Sequence, residues 1–207
     1  MIPILRKAKT CLSRVIRYYH ALVRDWSDNR YYRSLRNIHQ GNRGFVIGNG
    51  PSLSFDDLNK LTTDISIASN KIYLSFPHTQ WRPDYFTVQD PLVWEKVKDE
   101  IHKHFPTVHI ENTPYLPINN QDKITVRSWK SLEPVQNPFV DNPQFSNDLS
   151  RGVCNGYSIT YANLQFAVHL GLNPIYLIGC DHNYDGEAKL PANTQLEAKA
   201  NQNNHFI

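Results

Sequence analysis

GFVIGNGPS, residues 44–52, is a short apolar run that ends in a glycine turn. An uncharged run of this kind is typical of a buried strand, and glycine lets the backbone turn sharply at its end. Ser54 and Asp57 follow with the spacing of a capping box, which predicts a short helix over residues 55–61. The stretch therefore predicts a strand, a tight turn and a helix, the unit from which α/β sheets are built.

The rest of the chain repeats this alternation. Helices are predicted over residues 91–104, where a proline begins the first turn, and over residues 157–170, which end at Gly171. Residues 130–150 are rich in Pro, Asn and Asp and are predicted to form a surface excursion. Further strands are predicted over residues 65–69, 84–90, 108–111, 124–127 and 174–179. The pattern predicts an α/β fold over residues 41–207, a Rossmann-like, doubly wound and mostly parallel sheet.

Composition excludes several classes of protein. The chain has 207 residues, of which 40% are hydrophobic and 20% are charged, a globular balance. No run of apolar residues is long enough to span a membrane, and the first residues lack the features of a secretory signal. The three cysteines are too scattered for a disulfide framework, so a reducing, cytoplasmic location is predicted.

The charge is divided unevenly along the chain. Residues 1–40 contain nine Lys or Arg and two Asp, a net +7, while the remainder contains 13 basic and 17 acidic residues, a net −4. This division argues against nucleic-acid binding by the body. Apolar residues at three- and four-residue spacing predict that residues 1–40 form a basic amphipathic helical extension.

Two roles for this extension remain open. It could lie on an anionic membrane surface, which would make the protein peripheral on the inner face of the cytoplasmic membrane. Alternatively, it could dock on its own domain, or on a second subunit of a homo-oligomer.

Polar residues follow several predicted strands at the point where each strand ends. Ligands of parallel α/β sheets bind outside these carboxyl ends. In the glycine turn, backbone N–H groups, the Asn49 amide and the Ser52 hydroxyl are predicted to hold phosphate or ribose oxygens, although an ordinary tight turn is the alternative. The third glycine of a dinucleotide fingerprint and the lysine of a P-loop are both missing. The candidate nucleotide-binding residues at the strand ends are Gly48, Asn49, Gly50, Ser52, Asn70 and Asp90. For Asn70 the alternative is a strand-terminating turn residue, and for Asp90 it is a helix N-cap.

The densest polar cluster follows the last predicted strand. Asp181, His182 and Tyr184 place a carboxylate, an imidazole and a phenol together, which suits proton transfer or stabilisation of a leaving group. The alternative is a polar loop in which Asp181 caps the following backbone. The histidines elsewhere lack the spacing of metal ligands, so neither a metal site nor a resident cofactor is predicted.

Three segments together resemble a known family. They are residues 45–53 (FVIGNGPSL), Asn70, and residues 171–181 (GLNPIYLIGCD). They resemble the MptE-like family, which includes 6-hydroxymethylpterin diphosphokinases and motility-associated flagellin glycosyltransferases. The same landmarks resemble bacterial lipooligosaccharide sialyltransferases, and the resemblance covers residues 43–207.

The resemblance to sialyltransferases implies roles for individual residues. It implies that Asn49 and Asn70 bind a CMP donor, that Asn155 and Gly156 contact the same donor, and that Asp181 is the strand-end aspartate. The leaving-group tyrosine of those enzymes lies two residues after that aspartate, whereas Tyr184 lies three after. His205 lies in a segment similar to the one that precedes their histidine base. The base itself would then fall beyond residue 207, so residues 41–207 are expected to be a C-terminally incomplete domain.

The expected function is that of a glycosyltransferase in surface-polysaccharide synthesis. The resemblance implies a CMP-activated sugar as donor and a glycan or glycolipid as acceptor, with Asp181, His182, Tyr184 and His205 as candidate catalytic residues. The first alternative is a 6-hydroxymethylpterin diphosphokinase, which would use ATP and Mg²⁺. The second is a nucleotide-binding module without catalysis.

Overall fold

The computed structural model describes residues 23, 25–112, 125–132, 144–156 and 158–181. The helices in this part of the chain are α1 (residues 25–35), α2 (Phe55–Lys60), α3 (Pro91–Ile101) and α4 (Ile159–His169), with a 3₁₀ helix at Ile72–Ser75. The strands are β1 (Gly44–Ile47), β2 (Ile65–Ser69), β3 (Tyr85–Val88), β4 (Thr107–Asn112), β5 (Thr125–Leu132), β6 (Val153–Cys154) and β7 (Ile175–Ile178). Of these helices, none has the length and apolar character needed to cross a membrane.

The strands form one parallel sheet in the order β6-β5-β4-β3-β2-β1-β7. The chain runs outward from β1 to β6 and then returns through α4 to place β7 on the other side of β1. The direction of strand addition therefore reverses at β1, and this reversal is the feature that locates ligand sites in open α/β sheets.

Helices cover both faces of the sheet. Val46 and Ile67 lie in a core with α1 and α4, whereas their neighbours Ile47 and Ala68 lie in a second core with α2, α3 and the 3₁₀ helix. Successive side chains of a strand point to opposite faces, so a strand buried on both sides is predominantly apolar. The predicted doubly wound fold is confirmed.

The helix starts follow from capping side chains. Ser54 accepts the N–H of Asp57 (3.1 Å) at the start of α2, as the capping box predicted. Ser158 accepts the N–H of Thr160 (3.2 Å), so α4 begins two residues later than the apolar pattern indicated.

The sheet also extends further than the sequence indicated. β5 continues to Leu132, and Val153–Cys154 adds a short edge strand beside it. Both lie at the margins of the predicted surface excursion, residues 130–150, of which residues 133–143 are outside the described part.

α1 packs on the sheet through buried polar groups. The Tyr32 hydroxyl lies 3.2 Å from His109 Nδ1, and Asp28 accepts the N–H (3.1 Å) and the hydroxyl (2.7 Å) of Ser128. Arg127 Nη1 also donates to Asp28 (3.3 Å). The described part of the predicted extension, residues 25–40, therefore packs on its own domain. The hydrophobic core includes residues on both sides of residue 40. Residues 1–22 and 24 lie outside the described part.

The segment after α1 closes the end of α4. Three backbone N–H groups of residues 37–41 donate to the last carbonyls of α4 and the turn that follows it, which otherwise have no partner within the helix. The bonds are Asn37 N–H to His169 O (2.9 Å), His39 N–H to Leu170 O (2.9 Å) and Gly41 N–H to Gly171 O (3.1 Å). α1 and α4 thus form one layer.

His109 makes the stability of this layer dependent on pH. Burial, assisted by the positive charge of Arg127, lowers the pKa of His109 from 6.5 to about 3. Below pH 6.5, His109 becomes protonated in the unfolded chain but stays neutral in the folded chain. Its contribution to the free energy of unfolding is therefore greatest above pH 6.5 and decreases as the pH falls toward 3. Relative to His109→Gln, the wild type should lose about 2 kcal/mol of unfolding free energy between about pH 7 and pH 5.

Chemical denaturation at several pH values measures this difference. His78→Gln is the matched control, because it removes a histidine from an exposed position and not from the core. Parallel curves for the wild type and His109→Gln would contradict the assignment.

Candidate functional site

The glycine turn is joined to the end of β7 by its backbone. The β1–β7 ladder continues past both strands, and a carboxylate adds a third bond. The bonds are Gly48 N–H to Ile178 O (2.8 Å), Gly50 N–H to Gly179 O (2.8 Å) and Ser52 N–H to Asp181 Oδ2 (3.0 Å). Backbone N–H groups of this turn were predicted to hold phosphate or ribose oxygens, and those of Gly48, Gly50 and Ser52 each have a partner within the protein. The Asn49 amide and the Ser52 hydroxyl remain the groups of this turn that could face a ligand.

The glycines are needed because β7 lies so close. A Cβ atom on Gly48 would overlap the carbonyl of Gly179, and one on Gly50 would overlap the Asp181 carboxylate. The sequence pattern led us to expect that a ligand required this close approach. In the structure the chain itself requires it.

The end of β2 brings a second asparagine to the turn. Asn49 Nδ2 donates to Ser69 O (3.2 Å), and Asn70 N–H donates to Thr87 O (3.3 Å). Asn70 has φ of 56°, a left-handed conformation that asparagine tolerates better than most residues. Its Oδ1 is buried and lacks a partner within the described structure.

A third asparagine, Asn163 of α4, contacts Thr87, and the sequence did not indicate it as a site residue. Asn163 of α4 is only 1% exposed, and its Oδ1 accepts the hydroxyl of Thr87 (2.7 Å). Its Nδ2 is buried and lacks a partner among the described residues. Thr87 therefore contacts both residues that carry an unpartnered buried atom, because its carbonyl accepts the N–H of Asn70 and its hydroxyl donates to Asn163. The available signal was a pair of amides, Asn163 and Gln165, within a helix rich in apolar residues.

The loop before α4 is fixed by another buried amide. Gln165 Oε1 accepts the N–H of Cys154 (2.9 Å), and Gln165 Nε2 donates to Cys154 O (2.9 Å). This clamp holds Asn155 and Gly156 directly ahead of the first turn of α4. Gly156 lies against Tyr161, where a Cβ atom would overlap the ring.

Cys180 lies between the turn and α4. Burial raises the pKa of its thiol, hydrogen bonding with the Thr160 hydroxyl and the Gly48 backbone partly offsets this, and the charge of Asp181 adds to the increase. The thiol is therefore protonated at neutral pH, which disfavours a role as a nucleophile.

The structure thus brings together six of the predicted site residues, and these are Gly48, Asn49, Gly50, Ser52, Asn70 and Asp181. Asp90 lies after β3, where its carboxylate accepts the N–H of Leu92 (2.7 Å) as the N-cap of α3. His182, Tyr184 and His205 lie outside the described residues. Within the part that the structure describes, no group of three or more His, Cys, Asp or Glu could hold a metal ion.

Comparison with known proteins identifies one family and one similar structure. The family model described as 6-hydroxymethylpterin diphosphokinase MptE-like matches residues 20–187. The chain is also similar to the solved structure of the Maf glycosyltransferase from Magnetospirillum magneticum AMB-1, with 17% identity and a TM-score of 0.45. That similarity covers 75% of this chain and 27% of the other, so this chain spans little more than a quarter of that protein's length. No curated protein matches.

The contact between the turn and β7 predicts coupling between Gly50 and Asp181. Gly50→Ala should cost stability, because the new methyl group overlaps the Asp181 carboxylate and approaches Gly179 O. In an Asp181→Ala background the first overlap is absent, so the cost should be smaller by about 1 kcal/mol. The free energies of unfolding of the single and double variants measure this coupling.

Gly44→Ala provides the matched control. Its methyl group would overlap Leu172, away from Asp181, so its cost should be the same in both backgrounds. Additive effects of Gly50→Ala and Asp181→Ala would show that the carboxylate does not constrain the turn.

Proposed function

The chain belongs to the MptE-like family, as the sequence motifs predicted, and we propose that it is a transferase that binds a nucleotide donor at the carboxyl ends of β1, β2 and β7. The observation that carries this proposal is the pair of unpartnered buried groups beside Thr87. A buried donor or acceptor without a partner costs about 1–3 kcal/mol, so two such groups on residues that both contact Thr87 favour a bound ligand as their partner.

The occupant of this pair is the ribose of the nucleotide. A hydroxyl group both donates and accepts, so the hydroxyls of a ribose match the acceptor Asn70 Oδ1 and the donor Asn163 Nδ2. Asn70 also stands 20 residues after Gly50. In dinucleotide-binding folds an acidic residue about 20 positions beyond the glycines accepts the ribose 2′-hydroxyl, and Asn70 occupies the corresponding strand end.

The proposed reaction is inverting transfer from a CMP-activated sugar to a glycan or glycolipid acceptor. Asn49 and Ser52 lie where donor groups could neutralise charge that develops on the departing phosphate. Asp181 holds the turn against β7, and the polar segment that follows it carries His182 and Tyr184, candidates for proton transfer to the leaving group. His205 stays a candidate on the acceptor side.

The family description favours a second candidate, transfer of a diphosphoryl group from ATP to a pterin alcohol. Such transfers use Mg²⁺ to neutralise the phosphates. Asp90 and Asp181 are the strand-end carboxylates that could approach a nucleotide-bound Mg²⁺. Each already accepts a backbone N–H, from Leu92 and Ser52 respectively. The described residues thus offer two separate carboxylates and not a preformed metal site.

Nucleotide titrations distinguish the candidates. We expect CMP to raise the melting temperature of the protein without added metal. An increase in melting temperature with ATP that occurs only when Mg²⁺ is present would instead identify the diphosphokinase. Asn70→Gly, which suits the left-handed backbone, and Asn163→Ala should each weaken CMP binding by about fivefold to a hundredfold. The 2′- and 3′-deoxy analogues of CMP show which ribose hydroxyl is bound. The analogue that lacks this hydroxyl should bind the wild type weakly, and its affinity should fall little further in either variant.

Asn29→Ala, an exposed change on α1, is the control and should leave affinity unchanged. Failure of every nucleotide to bind would contradict the proposed function and leave a non-catalytic role. Equal affinity for CMP and both deoxy analogues would instead contradict only the ribose assignment.

A further inference from the structure

α1 has a second face that the sheet does not use. Its buried positions are Asp28, Tyr32 and Leu35, at a spacing of four and three residues. The positions on the opposite side of the helix are Val23, Trp26, Arg30 and Arg33, at spacings of three, four and three. With 100° between successive residues, these four side chains fall within about 80° of one another and diametrically away from the sheet. These four side chains form the outer stripe of α1.

The outer stripe combines an exposed aromatic ring with cations. Trp26 is 66% exposed and Val23 is 48% exposed, and the Arg30 guanidinium lies 5.7 Å from the centre of the Trp26 ring. The other three tryptophans of the chain, Trp81, Trp94 and Trp129, are all buried. Trp26 is thus the one tryptophan that is exposed to solvent, and it lies beside an arginine.

The charges around the stripe have one sign. Arg30 and Arg33 are exposed, and residues 1–22, which lead into α1, contain five Lys or Arg and neither Asp nor Glu. The acidic residue that could oppose them, Asp28, points to the sheet and is bound to Ser128 and Arg127. Asp25 lies on the flank of the helix, about 80° from the edge of the stripe.

We propose that the outer stripe of α1 binds an anionic phospholipid surface. Tryptophan has an apolar body and one polar N–H, which suits the boundary between lipid headgroups and acyl chains, and arginine pairs with the phosphates there. Four side chains are too few for a stable contact with a second copy, which needs about 800 Å² from each partner. The net −4 of residues 41–207 disfavours an extended contact with nucleic acid.

Vesicle binding by the full chain tests the proposal. The wild type should sediment with vesicles of phosphatidylcholine and phosphatidylglycerol, and less so as salt rises. Brominated lipids should quench tryptophan fluorescence, and Trp26→Ala should abolish the quenching because the remaining tryptophans are buried. Arg30→Gln with Arg33→Gln should weaken binding by about 25-fold, at about fivefold per charge.

Lys96→Gln with Lys103→Gln is the matched control. It removes the same charge from exposed positions on and just after α3, on the other face of the sheet, and should leave vesicle binding unchanged. None of these variants should change nucleotide affinity, so failure of this proposal and failure of the proposed function are separable.

Three results would overturn the proposal. The first is binding to pure phosphatidylcholine vesicles that is as strong as binding to the anionic vesicles, or no binding to either kind of vesicle. The second is binding that survives Trp26→Ala and the double arginine change, which would assign it to residues 1–22 alone. The third is self-association that protects Trp26 at the same protein concentration, which would make the stripe an interface between copies.

Discussion

The parallel pairing of β7 with β1 is the contact on which the candidate site depends. Gly44 to Ile47 pair in register with Ile175 to Ile178, and the ladder continues into the glycine turn. Parallel strands require a crossover connection, and α4 supplies it here between β6 and β7. This crossover places the first turn of α4 beside Cys180 and brings Asp181 to Ser52. One pairing therefore determines where the turn, the last strand and the helix meet.

The sequence predicted the fold well because its strongest signals are local. Apolar runs that end in glycine or asparagine located β1, β2 and β7, and the capping side chain of Ser54 located the start of α2. The role of the turn was harder to predict, because the partner of each N–H group is set by β7, about 130 residues away along the chain. Periodicity also could not reveal β6, since two residues are too few to form a pattern.

Buried polar residues were the part of the site that the sequence could not locate. Thr87, Asn163 and Gln165 lie within largely apolar elements, where one or two polar side chains do not disturb the pattern. Their importance comes from what they contact: Thr87 meets Asn163, and Gln165 meets both backbone groups of Cys154. The sequence likewise showed α1 as amphipathic but not which face the sheet would bury. Asp28 lies on that buried face because Ser128 and Arg127 offer it partners there.

The proposed nucleotide site lies where β1, β2 and β7 end, with Asn163 as one of its contacts. The most direct measurement is a titration of the ¹⁵N-labelled protein with CMP, followed through the side-chain NH₂ resonances of Asn49, Asn70 and Asn163. On binding, the Asn163 resonance should shift and exchange more slowly with solvent, and the backbone signals of residues 48–52 and 69–70 should shift with it. Shifts confined to the amino ends of the strands, or an Asn163 resonance unchanged at saturation, would contradict this proposal.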